Sequence, residues 1–231
     1  MDDPVVDLRH RRLLEPDVYY KCPTLESLDA ALRNELERVS QSLIPEEAVI
    51  EFLFSAEATI TIPVSQQANL GELGIFPAEL PQVTTVDRTL CRDIVGQSRL
   101  KIQRAIAKCF VELVQQIDGF QYRERRAENR ENSDGIRFKF VCTESLQNRD
   151  RIGNRKRGEI KDGEAITTEA APQRTRFPSH DCGGAIHIKF STKKNAINLV
   201  YRHTSIHRDK TTHPGSEQKQ TPINLEYVPL I

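Results

Sequence analysis

The sequence lacks any run of about 20 consecutive apolar residues, which is the length that a membrane-spanning helix requires. The segment from Met1 to Arg12 is too polar for a secretory signal peptide, so we expect no export and no membrane association. The cysteines are odd in number and widely spaced, which argues against a disulfide scaffold; they are Cys22, Cys91, Cys109, Cys142 and Cys182. Free or metal-bound thiols in the cytosol or nucleus are the expectation.

Common catalytic motifs are missing as well. The chain contains no Gly-rich phosphate-binding loop, no His-Glu-x-x-His and no Gly-x-Ser-x-Gly. Ser179, His180 and Asp181 are adjacent in the chain, and sequence neighbours cannot adopt the geometry of a catalytic triad. We therefore expect a protein that is not an enzyme, and we assign no catalytic residues.

The 231 residues carry no net charge, yet their charges are unevenly distributed. Residues 1–120 contain 12 basic and 19 acidic side chains, whereas residues 121–231 contain 21 basic and 14 acidic ones. The basic region either binds a polyanion or neutralises the acidic region within the fold, and the ligand pattern described below favours the polyanion. We predict two domains with these bounds.

The acidic region has the pattern of an α+β unit that supports the rest of the chain or binds a protein partner. Two apolar runs, 49–54 and 58–64, predict a β-hairpin. A long amphipathic helix is predicted from Asp87 to Ile117, and Gly96 is a point at which it can break. An earlier helix, capped by Thr24, has an apolar face made of Leu25, Leu28, Leu32, Leu36 and Val39.

Two polar stretches interrupt the basic region. Residues 122–134 are predicted to be an exposed boundary or the outer rim of the basic domain. Residues 147–176 have few apolar side chains and no periodicity, so they predict a long loop. This loop is either a solvated insertion or a segment that lies along phosphates or directs nuclear import. Its predicted DNA-binding side chains are Arg149, Arg151, Arg155, Lys156 and Arg157.

Three strand-like stretches of the basic region each carry a potential metal ligand in phase with their apolar side chains. Because side chains alternate across a strand, ligands of the same parity gather on the inner face of a sheet. His207 follows the last of these ligands by four residues. The ligands and their apolar partners are Cys142 with Ile136, Phe138 and Phe140; Cys182 with Ile186, Ile188 and Phe190; and His203 with Ile197, Leu199 and Tyr201.

Cys142, Cys182, His203 and His207 form a Cys2His2 set of the kind that binds structural zinc in a closed tetrahedron. A closed site leaves no open position for a catalytic water. His213 is the substitute if His207 does not coordinate. The alternative is that both cysteines are buried core thiols and both histidines are surface residues.

The order of these features along the chain is distinctive. A strand ending in Cys142 comes first, followed by a basic loop, by Asp181-Cys182-Gly183-Gly184 before a second strand, and by a third strand ending in His203. Over residues 136–208 this arrangement resembles the zinc-dependent DNA-binding domains of the WRKY, GCM, FLYWCH and Mutator-like transposase group. The resemblance implies a small antiparallel zinc-binding sheet, with Cys142, Cys182, His203 and His207 as ligands of a structural Zn²⁺. The chain contains no Trp, so the tryptophan-bearing signatures of that group have no counterpart here.

On the same three strands, the residues of the opposite parity include several cationic side chains, which would form the other face of the sheet. Phosphate binding by this face is one interpretation, and an ordinary solvated sheet face is the other. The predicted DNA-binding residues of the face are Arg137, Lys139, His187, Lys189 and Arg202.

The sequence thus predicts an α+β protein of the nucleus with a zinc-stabilised domain that binds duplex DNA in a sequence-specific way. A transcription regulator or a transposon-derived module would have these properties. The alternative is a metal-free α+β protein-interaction module that does not bind nucleic acid.

Overall fold

The computed structural model describes residues 18–41, 47–129, 135–146 and 182–204, and two sheets and two long helices make up most of these residues. The α+β class predicted from the sequence is confirmed. A 3₁₀ turn covers Gly71–Leu73. The described elements in chain order are β1 (Val18–Lys21), α1 (Leu25–Ser40), β2 (Glu47–Ser55), β3 (Thr59–Ile62), α2 (Val64–Gln67), β4 (Gln82–Thr85), α3 (Val86–Thr89), α4 (Gly96–Asp118), β5 (Tyr122–Asn129), β6 (Ile136–Cys142), β7 (Ala185–Ser191) and β8 (Ala196–Thr204).

The main sheet has six strands in the order β1-β2-β8-β7-β6-β5. β1 runs parallel to β2, and the other neighbours are antiparallel. The sheet therefore combines strands of the acidic region with strands of the basic region. It is larger than the small antiparallel sheet predicted from the sequence, and it is mixed. The proposed division of the chain near residue 120 stays a prediction.

The predicted hairpin of runs 49–54 and 58–64 is wrong. β2 lies between β1 and β8, so both of its edges are already hydrogen-bonded and β3 cannot pair with it. β3 instead pairs with β4 in a separate two-stranded sheet. The Thr59 N–H donates to the Pro23 carbonyl, which directs β3 away from β2.

Helix α1 begins where the sequence predicts. The Thr24 hydroxyl accepts a hydrogen bond from the Ser27 N–H, and the Ser27 side chain accepts one from the Thr24 N–H, which forms a reciprocal cap. All five predicted apolar side chains of this helix are buried.

The second predicted helix is divided in two, because Cys91 and Gly96 have positive φ angles of 52° and 66°. The long helix α4 therefore begins at Gly96 instead of at Asp87. Neither it nor any other described helix is long and apolar enough to cross a membrane.

One face of the main sheet packs against α1 and α4 and contains the core. The rings of Phe54 on β2 and Phe110 on α4 meet edge to face with centroids 5.0 Å apart. Strand register aligns buried side chains in rows across the sheet. One row is Phe138, Ile188, Leu199 and Phe52, and the next is Phe140, Ile186, Tyr201 and Ile50.

The polar stretch that begins at Tyr122 forms β5, an edge strand of the main sheet. The register shifts between Glu124 and Arg126, which marks a bulge. Glu124 lies on the helix side and pairs with Arg104 of α4 at 3.0 Å. The strand is polar because only part of one face is covered, and charged edge strands resist pairing with other chains. The predicted loop 147–176 falls outside the described residues.

Candidate metal centre

Cys142, Cys182 and His203 come together at one end of the main sheet. Cys142 is the last residue of β6, Cys182 precedes β7, and His203 lies near the end of β8. All three are buried in the interior. Their ligand atoms lie within 4.8 Å of one another. These three residues form a group that can hold a metal ion.

Hydrogen bonds between neighbouring strands fix the positions of the two cysteines. The Cys142 N–H donates to the Gly184 carbonyl at 2.9 Å, which ties β6 to the start of β7. The Cys182 carbonyl accepts from both the N–H and the hydroxyl of Thr204, at 3.0 and 2.6 Å, which ties it to β8. Because side chains alternate along β6 and β8, Cys142 and His203 point to the same face as the core rows. The alternation of apolar residues in the sequence therefore predicted correctly that these two side chains share a face.

Gly184 allows the ligands to approach one another. A Cβ added at this position would lie 2.4 Å from His203 Cδ2 and 2.7 Å from Cys142 Cβ. Such contacts are far inside van der Waals distance, so only glycine fits between these two side chains. The sequence pattern alone predicted no role for this residue. The feature of the sequence that could have indicated this role is the pair Gly183-Gly184 directly after the predicted ligand Cys182.

Backbone N–H groups point at both sulfur atoms. The Gly184 N–H donates to Cys182 Sγ at 3.4 Å. A backbone hydrogen bond from Glu144 to the Cys142 thiol also favours the thiolate, although it does not offset the causes that raise the pKa of Cys142 overall. In each case the donor lies two residues after the cysteine. Hydrogen bonds of this type stabilise negative charge on sulfur, which is the form that binds metals.

Without a cation the two thiols oppose one another's ionisation. The pKa of Cys142 is raised well above its ordinary value, first by a hydrogen bond with Cys182 and then by burial. Two adjacent thiolates in a core need a compensating positive charge, and a bound metal ion supplies it by deprotonating the thiols outright. The donor set therefore fits a metal ion.

An aromatic and acidic shell surrounds the imidazole of His203. The Phe120 ring lies 4.5 Å from it, centroid to centroid. Asp118, at the end of α4, accepts hydrogen bonds from the hydroxyls of Tyr122 at 2.5 Å and Tyr201 at 3.3 Å. Burial raises the pKa of Asp118, while these hydrogen bonds and the charge of His203 act in the opposite direction. Carboxylates near a coordinating histidine commonly orient it. No motif in the sequence marks Asp118 for this role.

The predicted DNA-binding residues of β6, β7 and β8 lie on the other face of the main sheet. The register pairs Arg137 with Lys189 and Lys139 with His187. Burial, together with the nearby positive charges of Lys139 and Arg202, lowers the pKa of His187 to about 4. His187 is therefore neutral at pH 7 and adds no charge to this face.

Acidic side chains of β2 share this face. Arg202 forms a salt bridge with Glu47, and the Asn198 amide donates to Glu51. The positive charge of Arg202 is thus partly balanced. The pKa of Lys139 is lowered by burial and by the charges of Arg125 and Arg202, which shows that cations crowd this region. The more positive part of the face lies toward β5, β6 and β7.

Several predicted site residues fall outside the described residues. They include both candidates for a fourth ligand, His207 and His213, and the basic side chains of the long loop, which are Arg149, Arg151, Arg155, Lys156 and Arg157.

Comparison of the chain with protein-family models, with curated proteins and with solved structures finds no match. The resemblance to the WRKY, GCM, FLYWCH and Mutator-like group stays a prediction from the sequence.

Proposed function

We propose that this chain is a zinc-stabilised DNA-binding protein. The observation that carries the proposal is the convergence of Cys142, Cys182 and His203, whose ligand atoms lie within 4.8 Å of one another inside the core. Two thiolates with imidazole nitrogen are a donor set that suits zinc, and His207, the fourth ligand predicted from the sequence, would complete a tetrahedron. With four protein ligands the ion has no open position, so its role is structural.

The metal would hold the cationic face in shape. The ligands come from β6, from β8 and from the residue that leads into β7, and these strands present Arg137, Lys139 and Lys189 on their opposite face. Fixing the strand ends fixes the spacing of those cations. A set of positive charges at fixed spacing on a twisted sheet can bind the phosphates of duplex DNA.

A protein of this kind acts in the nucleus. Transcription regulation, or DNA binding inherited from a transposable element, is the function that we propose for it. Residues 147–176, which the sequence predicts to be a basic loop, would add phosphate contacts to those of the sheet.

An electrophoretic shift assay with purified full-length chain tests this proposal. We expect binding to random-sequence duplex DNA, one zinc ion per chain by elemental analysis, and loss of the shifted band when a chelator removes the metal. Restoring zinc should restore the band. A shift that persists after complete metal removal would separate DNA binding from the metal, and absence of any shift from the zinc-loaded chain would refute the function.

The salt dependence of DNA binding identifies the surface used. Each phosphate contact contributes a slope of about −0.9 to the plot of log affinity against log salt concentration. The double substitution Arg137→Gln, Lys189→Gln should therefore reduce the magnitude of the slope by about 2 without loss of zinc, because neither residue is a ligand. The double substitution Lys101→Gln, Lys108→Gln removes two exposed charges from α4, is the matched control and should leave the slope unchanged. Equal slopes for the three proteins would show that this face does not contact DNA.

One observation favours the second candidate, a metal-free interaction module. Cys142 and Cys182 belong to the same continuous apolar core as the rows of aromatic and aliphatic side chains. In that case the two thiols would be ordinary core side chains that bind no metal. Unfolding that is insensitive to chelators but sensitive to salt, in a chain that does not bind DNA, would support this candidate.

A further inference from the structure

A groove lies between the two long helices, away from the candidate metal centre. It has a volume of about 320 Å³ and is walled by α1, α4 and the β3–β4 sheet. Its apolar surface comes from Leu25, Pro63, Pro81, Cys109 and Leu113. This volume is within the range of small-ligand pockets and is large enough for a bulky apolar side chain.

Acidic side chains surround this apolar surface. Glu26, Asp29 and Glu112 line the groove, and none of the described residues that line it is basic. Hydrogen bonds from the Thr24 side chain, from its own backbone and from Thr61 lower the pKa of Glu26, so it is ionised at neutral pH. Asp29 pairs with Arg33 at 2.9 Å, outside the lining. The groove is therefore negative even after that pair is counted.

The side-chain amide of Gln66, which is buried beside the groove, has an oxygen without a hydrogen-bond donor among the described residues. Gln66 is only 7% exposed, and its amide nitrogen donates to Glu112 Oε1 at 2.6 Å, which fixes that carboxylate. The amide oxygen of Gln66 is buried and accepts no hydrogen bond from the described residues. Buried acceptors without a donor are rare in folded proteins, and this one lies next to the carboxylate at the groove wall. Gln66 does not itself line the groove, so its part is to hold the Glu112 carboxylate in place at the groove wall.

Exposed apolar side chains extend the groove along the β3–β4 sheet. Val83 lies opposite Thr61 in the register and is 64% exposed, and Leu80 is 75% exposed. The fully buried side chain of Gln67 holds this segment, because it donates to the Leu80 carbonyl at 2.8 Å and accepts from the Ala78 N–H at 2.7 Å. Large apolar side chains held in solvent by a fixed backbone are typical of sites that bind another protein.

We propose that this groove docks a segment of a partner protein that carries a bulky apolar side chain flanked by lysine or arginine. The apolar anchor fills the cavity, its basic neighbours pair with Glu26, Asp29 and Glu112, and adjacent apolar residues cover Leu80 and Val83. Charge complementarity selects a basic segment over an acidic one. The extended apolar strip favours a peptide over a small amine, because a small amine would leave that strip in water.

The test uses purified full-length chain and a fluorescent amphipathic peptide of leucine and lysine. Two matched peptides replace either every lysine by glutamate or every leucine by serine. Fluorescence anisotropy measures binding, and hydrogen exchange locates it. We expect only the leucine–lysine peptide to bind, with affinity that falls as salt rises, and with protection of residues on α1, α4 and the β3–β4 sheet.

Matched variants decide whether the groove itself is responsible. Glu26→Gln with Asp29→Asn should weaken binding about tenfold. Glu57→Gln with Glu72→Gln removes the same number of exposed charges elsewhere in the acidic region and should have no effect. Equal weakening by both pairs, protection at another surface, or binding of phenethylammonium without binding of the peptide would each overturn the proposal. None of the groove residues belongs to the metal centre, so this result is independent of whether zinc binds.

Discussion

Replacing Gly184 by alanine is expected to abolish zinc binding while leaving most of the sheet able to form. The added methyl group would lie 2.4 Å from His203 Cδ2 and 2.7 Å from Cys142 Cβ, so the two side chains must separate. Overpacking of this kind costs about 1–3 kcal/mol of stability. Loss of a metal present at a hundred times its dissociation constant removes about 2.7 kcal/mol more. Elemental analysis and denaturant unfolding with and without zinc measure the two effects.

Two other glycines serve as controls for this substitution. Gly135→Ala would place a methyl group 1.7 Å from the Phe190 carbonyl oxygen, at the opposite end of β6. It should destabilise the sheet yet leave one zinc ion bound per folded chain. Gly71→Ala meets no atom within 4 Å and should change stability by less than about 0.5 kcal/mol. Full zinc occupancy in folded Gly184→Ala protein would contradict the proposed arrangement of ligands.

Substituting either cysteine ligand by serine should remove the bound zinc and the stability that depends on it. At a free zinc concentration of a hundred times the dissociation constant, the wild-type chain gains about 2.7 kcal/mol. For a chain of this size that corresponds to a melting temperature higher by about 5–10 °C. We expect this zinc-dependent increase to vanish in Cys142→Ser and in Cys182→Ser, because serine does not provide a thiolate.

Cys109→Ser is the matched control for the ligand series. Cys109 is also buried, and its thiol hydrogen-bonds to the Ala105 carbonyl, which a serine hydroxyl can reproduce. This variant should keep both its zinc and the increase in melting temperature upon zinc addition. An unchanged zinc content in both ligand variants would mean that no metal site exists at Cys142 and Cys182, and the metal-free module would then be the better description.

Local features of the fold could be predicted from the sequence because they depend on near neighbours in the chain. Thr24 and the leucines that follow it specify a capped amphipathic helix without reference to other elements. The candidate ligands could be found for a similar reason. The parity of a strand decides which side chains share a face, so Cys142 and His203 had to lie on the core side once their strands were recognised.

Strand partners could not be predicted in the same way. The apolar run that became β2 has the same pattern whether it pairs with β3 or with β1 and β8, and a local pattern does not contain that choice. β5 was missed as a strand because its side chains are mostly charged, as an edge strand permits. Gly184 and Asp118 adjoin the candidate metal centre through contacts in three dimensions, which spacing along the chain does not reveal.

The neighbouring positions of β2 and β8 have a consequence for how the chain acquires its structure. The contact between Glu51 and Asn198 joins residues that are 147 positions apart. During synthesis β2 therefore leaves the ribosome long before the strand that completes one of its edges. Closing so long a loop carries an entropic cost. Until β8 has been synthesised and has paired with β2, the unpaired apolar edge of β2 is prone to aggregate. We expect slow refolding in vitro and a need for chaperones during expression.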